Sequence, residues 1–299
     1  MRKAKLGELL KFSKPKGPGF GIDAGFYLSV MAAQMPLPAI RQVVEPKGLE
    51  GAVVGFGVPM KGDKEDLGRP MERGAYAIAS LDRKTLIRCL VVSKEEAGFN
   101  PDSFLRNPRS ASLSEDARSR MAATWMLVQL TFESYDPLVH PAVRLLVEVA
   151  DRLALLTGGL VADPVSEVYR LPGESLHAAV PDGFAVQDSV AVHSHPEGGT
   201  YSLNTLGMRK YGLEEFEISG VEERFLGVAE RLLLGICQGV LKGKRVSAGD
   251  TVGSRRSPFR IAVGGLDRGK WEGIPVLEAI PEESEDVNAV LARWEMEHG

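Results

Sequence analysis

The stretch Ser189-Val-Ala-Val-His-Ser-His-Pro-Glu-Gly-Gly-Thr-Tyr-Ser-Leu-Asn-Thr-Leu-Gly-Met-Arg-Lys-Tyr-Gly-Leu-Glu-Glu-Phe-Glu-Ile-Ser-Gly220, taken with the apolar segment Val221 to Lys242, decides the fold class. It reads as three short strands, Val190 to His193, Thr200 to Asn204 and Glu215 to Ser219, separated by glycine-marked turns. From Val221 to Lys242 the period changes: Val221, Phe225, Ala229, Leu232, Leu233, Ile236, Val240 and Leu241 recur at three and four, the spacing of a helix with a wide apolar face. Strands in succession and then a long helix lack regular βαβ alternation, so the expected class is α+β with largely antiparallel or mixed sheets. Gly227, Gly235 and Gly239 fall inside the helix. Each costs about 1 kcal/mol relative to alanine, which predicts compensation by close packing against another element.

Upstream, a second long amphipathic helix is expected from the Asp136-Pro137 start. Val139, Val143, Leu146, Val147, Ala150, Leu153 and Ala154 carry its face, and Gly158-Gly159 stops it. Strands are predicted at 26–33, 51–58, 75–80, 85–92, 121–133 and 160–162, with a brief helix over 37–44. The polar connection 94–118, interrupted by Pro101 and Pro108, reads as a mobile loop with one or two helical turns. Asp163-Pro164 opens a further helical turn carrying Glu167 and Tyr169. Downstream, 248–253 reads as a turn, 259–263 and 275–279 as strands, and Ser284 as the cap of a C-terminal helix whose face is Val287, Val290, Leu291 and Trp294. The Pro- and Gly-rich segment 171–188 is a candidate seam. The division expected is an N-terminal α+β half, 1–120, with a basic arm, and a C-terminal half, 121–299. One continuous globular unit is the alternative.

Composition excludes whole classes. With 44% hydrophobic and 25% charged residues over 299 positions, the chain is neither disordered nor fibrous and can bury a large core without staples. A net charge of −4 offers no overall electrostatic reason to seek nucleic acid or an anionic membrane, although six of the first seventeen residues are Lys or Arg. Cys89 and Cys237 cannot make a disulfide framework and sit in apolar segments, as buried thiols in a reducing cytoplasm would. No run approaches the roughly 18 apolar residues that a membrane span needs.

His193 and His195 are the only close histidine pair. Two apart on a strand, they point to one face, where two imidazoles can share a metal ion. His-Ser-His-Pro resembles the metal-binding segment of JAMM-type zinc isopeptidases, in which His-x-His is succeeded after seven residues by Ser-x-x-Asp. His193, His195 and Pro196 match, but the serine and aspartate positions are Leu203 and Leu206. The resemblance implies a zinc hydrolase, while a catalytic zinc needs three protein ligands. No cofactor is the main expectation, with zinc as its alternative. The sequence also lacks a phosphate-binding loop, a dinucleotide fingerprint and a G-x-S-x-G elbow.

Thr205, Gly207, Met208, Lys210, Gly212, Glu215 and the Glu217-Ile218 pair form a second motif. Together with its acidic strand, the long helix after it and Ala248-Gly-Asp-Thr-Val-Gly253, it resembles the bacterial domain of unknown function family 4261, best over Met121 to Leu277. That resemblance implies a bacterial cytosolic α+β protein. Without a complete catalytic constellation, the expected function is non-catalytic binding of a protein partner. Its expected contact surface is the loop bearing Glu197, Thr205, Gly207, Met208, Arg209, Lys210 and Tyr211, and a metal-dependent hydrolase at His193 and His195 is the alternative. Arg209, Lys210, Glu214, Glu215 and Glu217 read as a solvated loop and an edge strand.

Overall fold

A computed structural model describes residues 26–44, 55–59, 67–80, 82–107, 110, 112–134, 139–176, 185–264, 274–282 and 285–298. The basic arm, Asp136-Pro137 and Ser284 lie outside these residues. The described strands form two sheets.

The first sheet has the order β2 (Gly55–Pro59), β3 (Gly74–Ser80), β4 (Thr85–Ser93), β5 (Met126–Ser134), β1 (Tyr27–Ala32), β6 (Leu160–Asp163) and β7 (Val168–Arg170). All neighbours in it are antiparallel. Strand β4 shows why: Ile87, Cys89 and Val91 are sealed inward while Arg88 and Leu90 face out, the period-two alternation of a one-sided sheet. The inner face is covered by α4 (Val139–Leu156), whose buried residues include Val143, Leu146, Ala150 and Leu153. The chain leaves α4 through Gly158 at φ 59° and returns into β6 so tightly that a Cβ on Gly159 would lie 2.0 Å from the Met31 carbonyl oxygen.

Beyond α1 (Ile40–Val44) come two short helices, α2 (Pro101–Leu105) and α3 (Glu115–Ala122), capped by the side chains of Asn100 and Ser114. They cover the outer face near β1 and β6, where Met31, Met121, Leu160 and Ala162 meet Phe104 and Tyr169. The predicted strand over 121–133 therefore begins late. Met121 and Ala122 complete the capped helix, and β5 starts at Met126.

The second sheet has the order β11 (Thr251–Gly253), β12 (Pro258–Val263), β13 (Val276–Pro281), β10 (Glu215–Val221), β9 (Thr200–Leu206) and β8 (Ala191–Glu197). Only β10 and β13 pair in parallel. Helix α5 (Leu226–Leu241) packs across β8, β9 and β10, and α6 (Val287–His298) lies beside α5, β10 and β13. The fold is α+β, with one antiparallel and one mixed sheet. A single buried cluster takes side chains from both, among them Val30, Val143, Leu203, Ile218 and Leu233.

Two local expectations are corrected. Val221, read as the first residue of the long helix, is the buried end of β10; a 3-10 turn over Glu223–Phe225 intervenes before α5. Asp163-Pro164 opens no helical turn but a tight hairpin from β6 to β7. The Asp163 carboxylate accepts from the Val165 and Ser166 amides at 3.1 Å each, which mimics a backbone turn, and Glu167 stands at φ 57°.

Candidate functional site

The Thr205–Ile218 motif is an interior crosslink between elements. After β9, Gly207 takes φ 134° and Met208–Tyr211 make one 3-10 turn that ends at Gly212, φ 68°. A Cβ on Gly207 would lie 2.2 Å from the Ser189 carbonyl oxygen, so both the backbone angle and the space require glycine there. Thr205 Oγ1 donates to Glu215 Oε2 at 2.7 Å and accepts from the Phe216 amide at 2.8 Å. The other carboxylate oxygen of Glu215 accepts from the Gly207 and Arg209 amides at 2.8 and 3.2 Å. Glu215 thus caps the amides of the turn, as an acceptor does at a helix start. Burial pushes its carboxyl above the usual carboxylate value, while these donors hold it back.

Lys210 reaches across to the first sheet. Its Nζ donates to Asp163 Oδ2 and to Ser166 Oγ at 2.8 Å, and lies 4.7 Å from the centroid of the Phe26 ring. Ser166 Oγ in turn donates to the Ser189 carbonyl at 2.7 Å. The lysine and aspartate side chains are 0% and 1% exposed. Burial lowers the lysine pKa, and the charge of Asp163 opposes that shift. Phe26 packs edge-on against Tyr211 with centroids 5.5 Å apart. Arg170 and Asp188 make a second buried ion pair nearby.

The expected contact surface is therefore divided. Glu197 and Arg209 are exposed, whereas Thr205, Met208, Lys210 and Tyr211 are at most 2% exposed and Gly207 is pressed against Ser189. The solvated-loop reading is corrected for Lys210, Glu215 and Glu217, all buried. Strand β10 is an interior strand between β9 and β13, not an edge. Lys210 and Glu215 each have specific polar partners, the condition under which a charge tolerates an apolar interior.

His193 and His195 lie on β8, which is an edge strand of the second sheet. His193 is half-buried with Nε2 3.1 Å from the Ser166 carbonyl oxygen, and His195 is exposed. Among the described residues no group of three His, Cys, Asp or Glu side chains is placed to hold a metal ion.

Open space lies elsewhere. A cleft of about 430 Å³ runs between α5, the segment that leaves it, β11 and the end of α6. Leu232, Ile236, Val246 and Val252 line it, and Trp294, stacked on His298 with ring centroids 4.4 Å apart, forms one wall. Gly235 and Gly239 of α5 face it. The predicted close packing of these glycines is corrected: among the described residues nothing lies within 4 Å of a Cβ built on Gly235, and only the Lys244 side chain, at 3.3 Å, lies that close for Gly239. Lys244 and Arg245 stand exposed at the rim, and among the described residues no acidic side chain lines the cleft.

Comparison with protein-family models, curated proteins and solved structures returns no match.

The chemistry legible in the sequence points to the motif-bearing turn, and the cleft has no comparable signature. Its one advance signal is the row of glycines in α5, whose helix-weakening cost packing does not repay.

Proposed function

We propose that the chain is a non-catalytic binding protein whose ligand seat is the cleft between α5 and α6. The observation that carries this reading is Gly235. A helix-interior glycine costs about 1 kcal/mol relative to alanine, yet this one has room for a larger side chain and opens onto the cleft instead of a packed neighbour. At about 430 Å³, the space falls within the range of small-molecule sites, roughly 300–1,000 Å³, and its walls combine apolar and aromatic surface with a few polar groups. Two free, buried cysteines support a reducing, cytoplasmic setting, and the motif resemblance supports a bacterial one.

Ligand-detected NMR with a fragment set tests the reading. Aromatic fragments are expected to bind the wild-type chain and to lose their signal in Gly235→Leu, which fills the cleft floor. A fragment profile identical in the two proteins would contradict the site. For the zinc-hydrolase alternative, the His193 ring is engaged with the Ser166 carbonyl and no third ligand stands with the pair among the described residues. Metal analysis of untagged protein after zinc loading is expected to find below about a tenth of an equivalent, against the one equivalent that a catalytic site holds.

A further inference from the structure

The rim of the cleft carries two cations, Lys244 and Arg245, whose charges no described carboxylate takes up, although the Lys244 stem lies against Gly239. Helix C-termini attract lysine and arginine because their last carbonyls lack intrahelical partners. In α5 those carbonyls are already engaged. Gln238 O accepts from the Lys242 amide at 3.0 Å, Gly239 O from the Lys244 amide at 3.0 Å, and Val240 O from the Gly243 amide at 2.8 Å. Leu241 O is 2.7 Å from His140 Nε2. The Lys244 and Arg245 side chains make none of these contacts, and no described carboxylate forms a salt bridge with either. The nearby acids are committed elsewhere. Asp250 accepts from the Ser247 amide, Glu282 from the hydroxyl of the lining Thr251, Glu295 pairs with Arg231, and Glu297 accepts from Ser254 and Ser257. Two cations consequently share with Trp294 and with the apolar Leu232, Ile236, Val246 and Val252 a lining without a described carboxylate.

We propose that the cleft takes a small organic anion: a flat aromatic or alicyclic body seated between the α5 glycine floor and Trp294, with its carboxylate or phosphate held at Lys244 and Arg245. This inference rests on the cleft being the ligand seat and adds the charge and shape of the ligand. The division of labour is physical. The aromatic wall and glycine floor favour a planar apolar body through burial and ring contact. The rim cations give a charge-assisted end-point that fixes the ligand's orientation. Because both cations are exposed, their attraction weakens with salt.

Titration with 2-naphthoate, 1-naphthyl phosphate and the neutral 2-naphthamide, monitored through the Trp294 indole resonance of the full chain, tests this. Both anions are expected to bind at least about tenfold more tightly than the amide, a difference of about 1.4 kcal/mol. The variant Lys244→Ala/Arg245→Ala is expected to erase that preference while leaving amide affinity within about twofold and the melting temperature unchanged. If carboxylate and phosphate differ, the tighter one identifies the acidic group. Equal affinity for anions and amide, lost together in Gly235→Leu, would overturn the anion preference and leave the cleft as a ligand seat. Failure of all three probes to move the Trp294 resonance would overturn both.

Discussion

The turn at Thr205–Gly212 and the cleft under Trp294 divide the chemistry of this molecule unevenly. The turn has the residues that usually attract a functional reading, a lysine, a glutamate and a threonine with a histidine pair nearby, and it encloses the first three. The cleft is built from Gly235, Gly239, Leu232, Ile236 and Trp294, residues that read as ordinary helix faces, and it is open. Dense polar chemistry in a sequence marks a place where the fold has polar groups to satisfy. Whether it also meets a ligand depends on space, and space is supplied here by residues with little chemistry of their own.

Breaking the polar side of this contrast should have the largest effect. Asp163→Ala leaves Lys210 buried without its partner and is expected to cost about 3–5 kcal/mol in urea unfolding. The double variant Asp163→Leu/Lys210→Met, which removes both charges, is expected to recover part of that loss, the remainder being the acceptor that the Val165 and Ser166 amides also lose. If the double variant is as unstable as Asp163→Ala, the unpaired charge of Lys210 is not what destabilises the single variant. Gly207→Ala should come next at about 3 kcal/mol, since its Cβ meets the Ser189 carbonyl at 2.2 Å. Melting within a degree of wild type would show that the turn can relax.

Glu215→Gln sharpens the account of the turn cap. Replacing one acceptor oxygen by an amide donor among backbone N–H groups is expected to cost about 1–3 kcal/mol at neutral pH. Its pH dependence carries a sign. The folded carboxyl sits above its ordinary value, so on raising the pH the unfolded chain releases this proton first. Between the ordinary and the raised value the native state binds more protons, and the contribution of Glu215 to stability falls as pH rises through that window. Stability curves of wild type and Glu215→Gln should therefore draw together as the pH rises through the window, because only the wild type loses stability there. Curves that separate over that range would reverse the assignment. The smallest effect is expected on the open side: Gly235→Ala should stabilise the chain by roughly 0.5–1 kcal/mol, because helix propensity improves and no neighbour is displaced. Destabilisation would mean that the glycine is packed after all.

Much of the architecture was legible. The three- and four-residue spacing from Val139 to Ala154 and from Phe225 to Leu241 marked both long helices, and the run 85–92 marked the strand that the structure has as β4. The boundaries that slipped did so for local reasons: an apolar Val221 fits a strand end as well as a helix start, and a capped helix ran into the apolar run before β5. The site was less legible because its decisive facts are long-range. Nothing near Lys210 in sequence announces Asp163, forty-seven positions away, as its partner. Nothing in the spacing of Gly235 and Trp294 shows that they share a cleft. The glycines signalled an irregularity in α5, and close packing was the natural reason to expect for it where the structure has open volume.

The central claim, that the polar turn is internal scaffolding and the glycine-floored cleft is the ligand seat, is tested most directly by amide and indole shift mapping during titration with 1-naphthyl phosphate. Saturable shifts are expected at the Trp294 indole and at the Gly235, Gly239, Lys244 and Arg245 amides, with residues 205–212 unmoved. Shifts centred on residues 205–212 and His193, with the cleft resonances still, would contradict it.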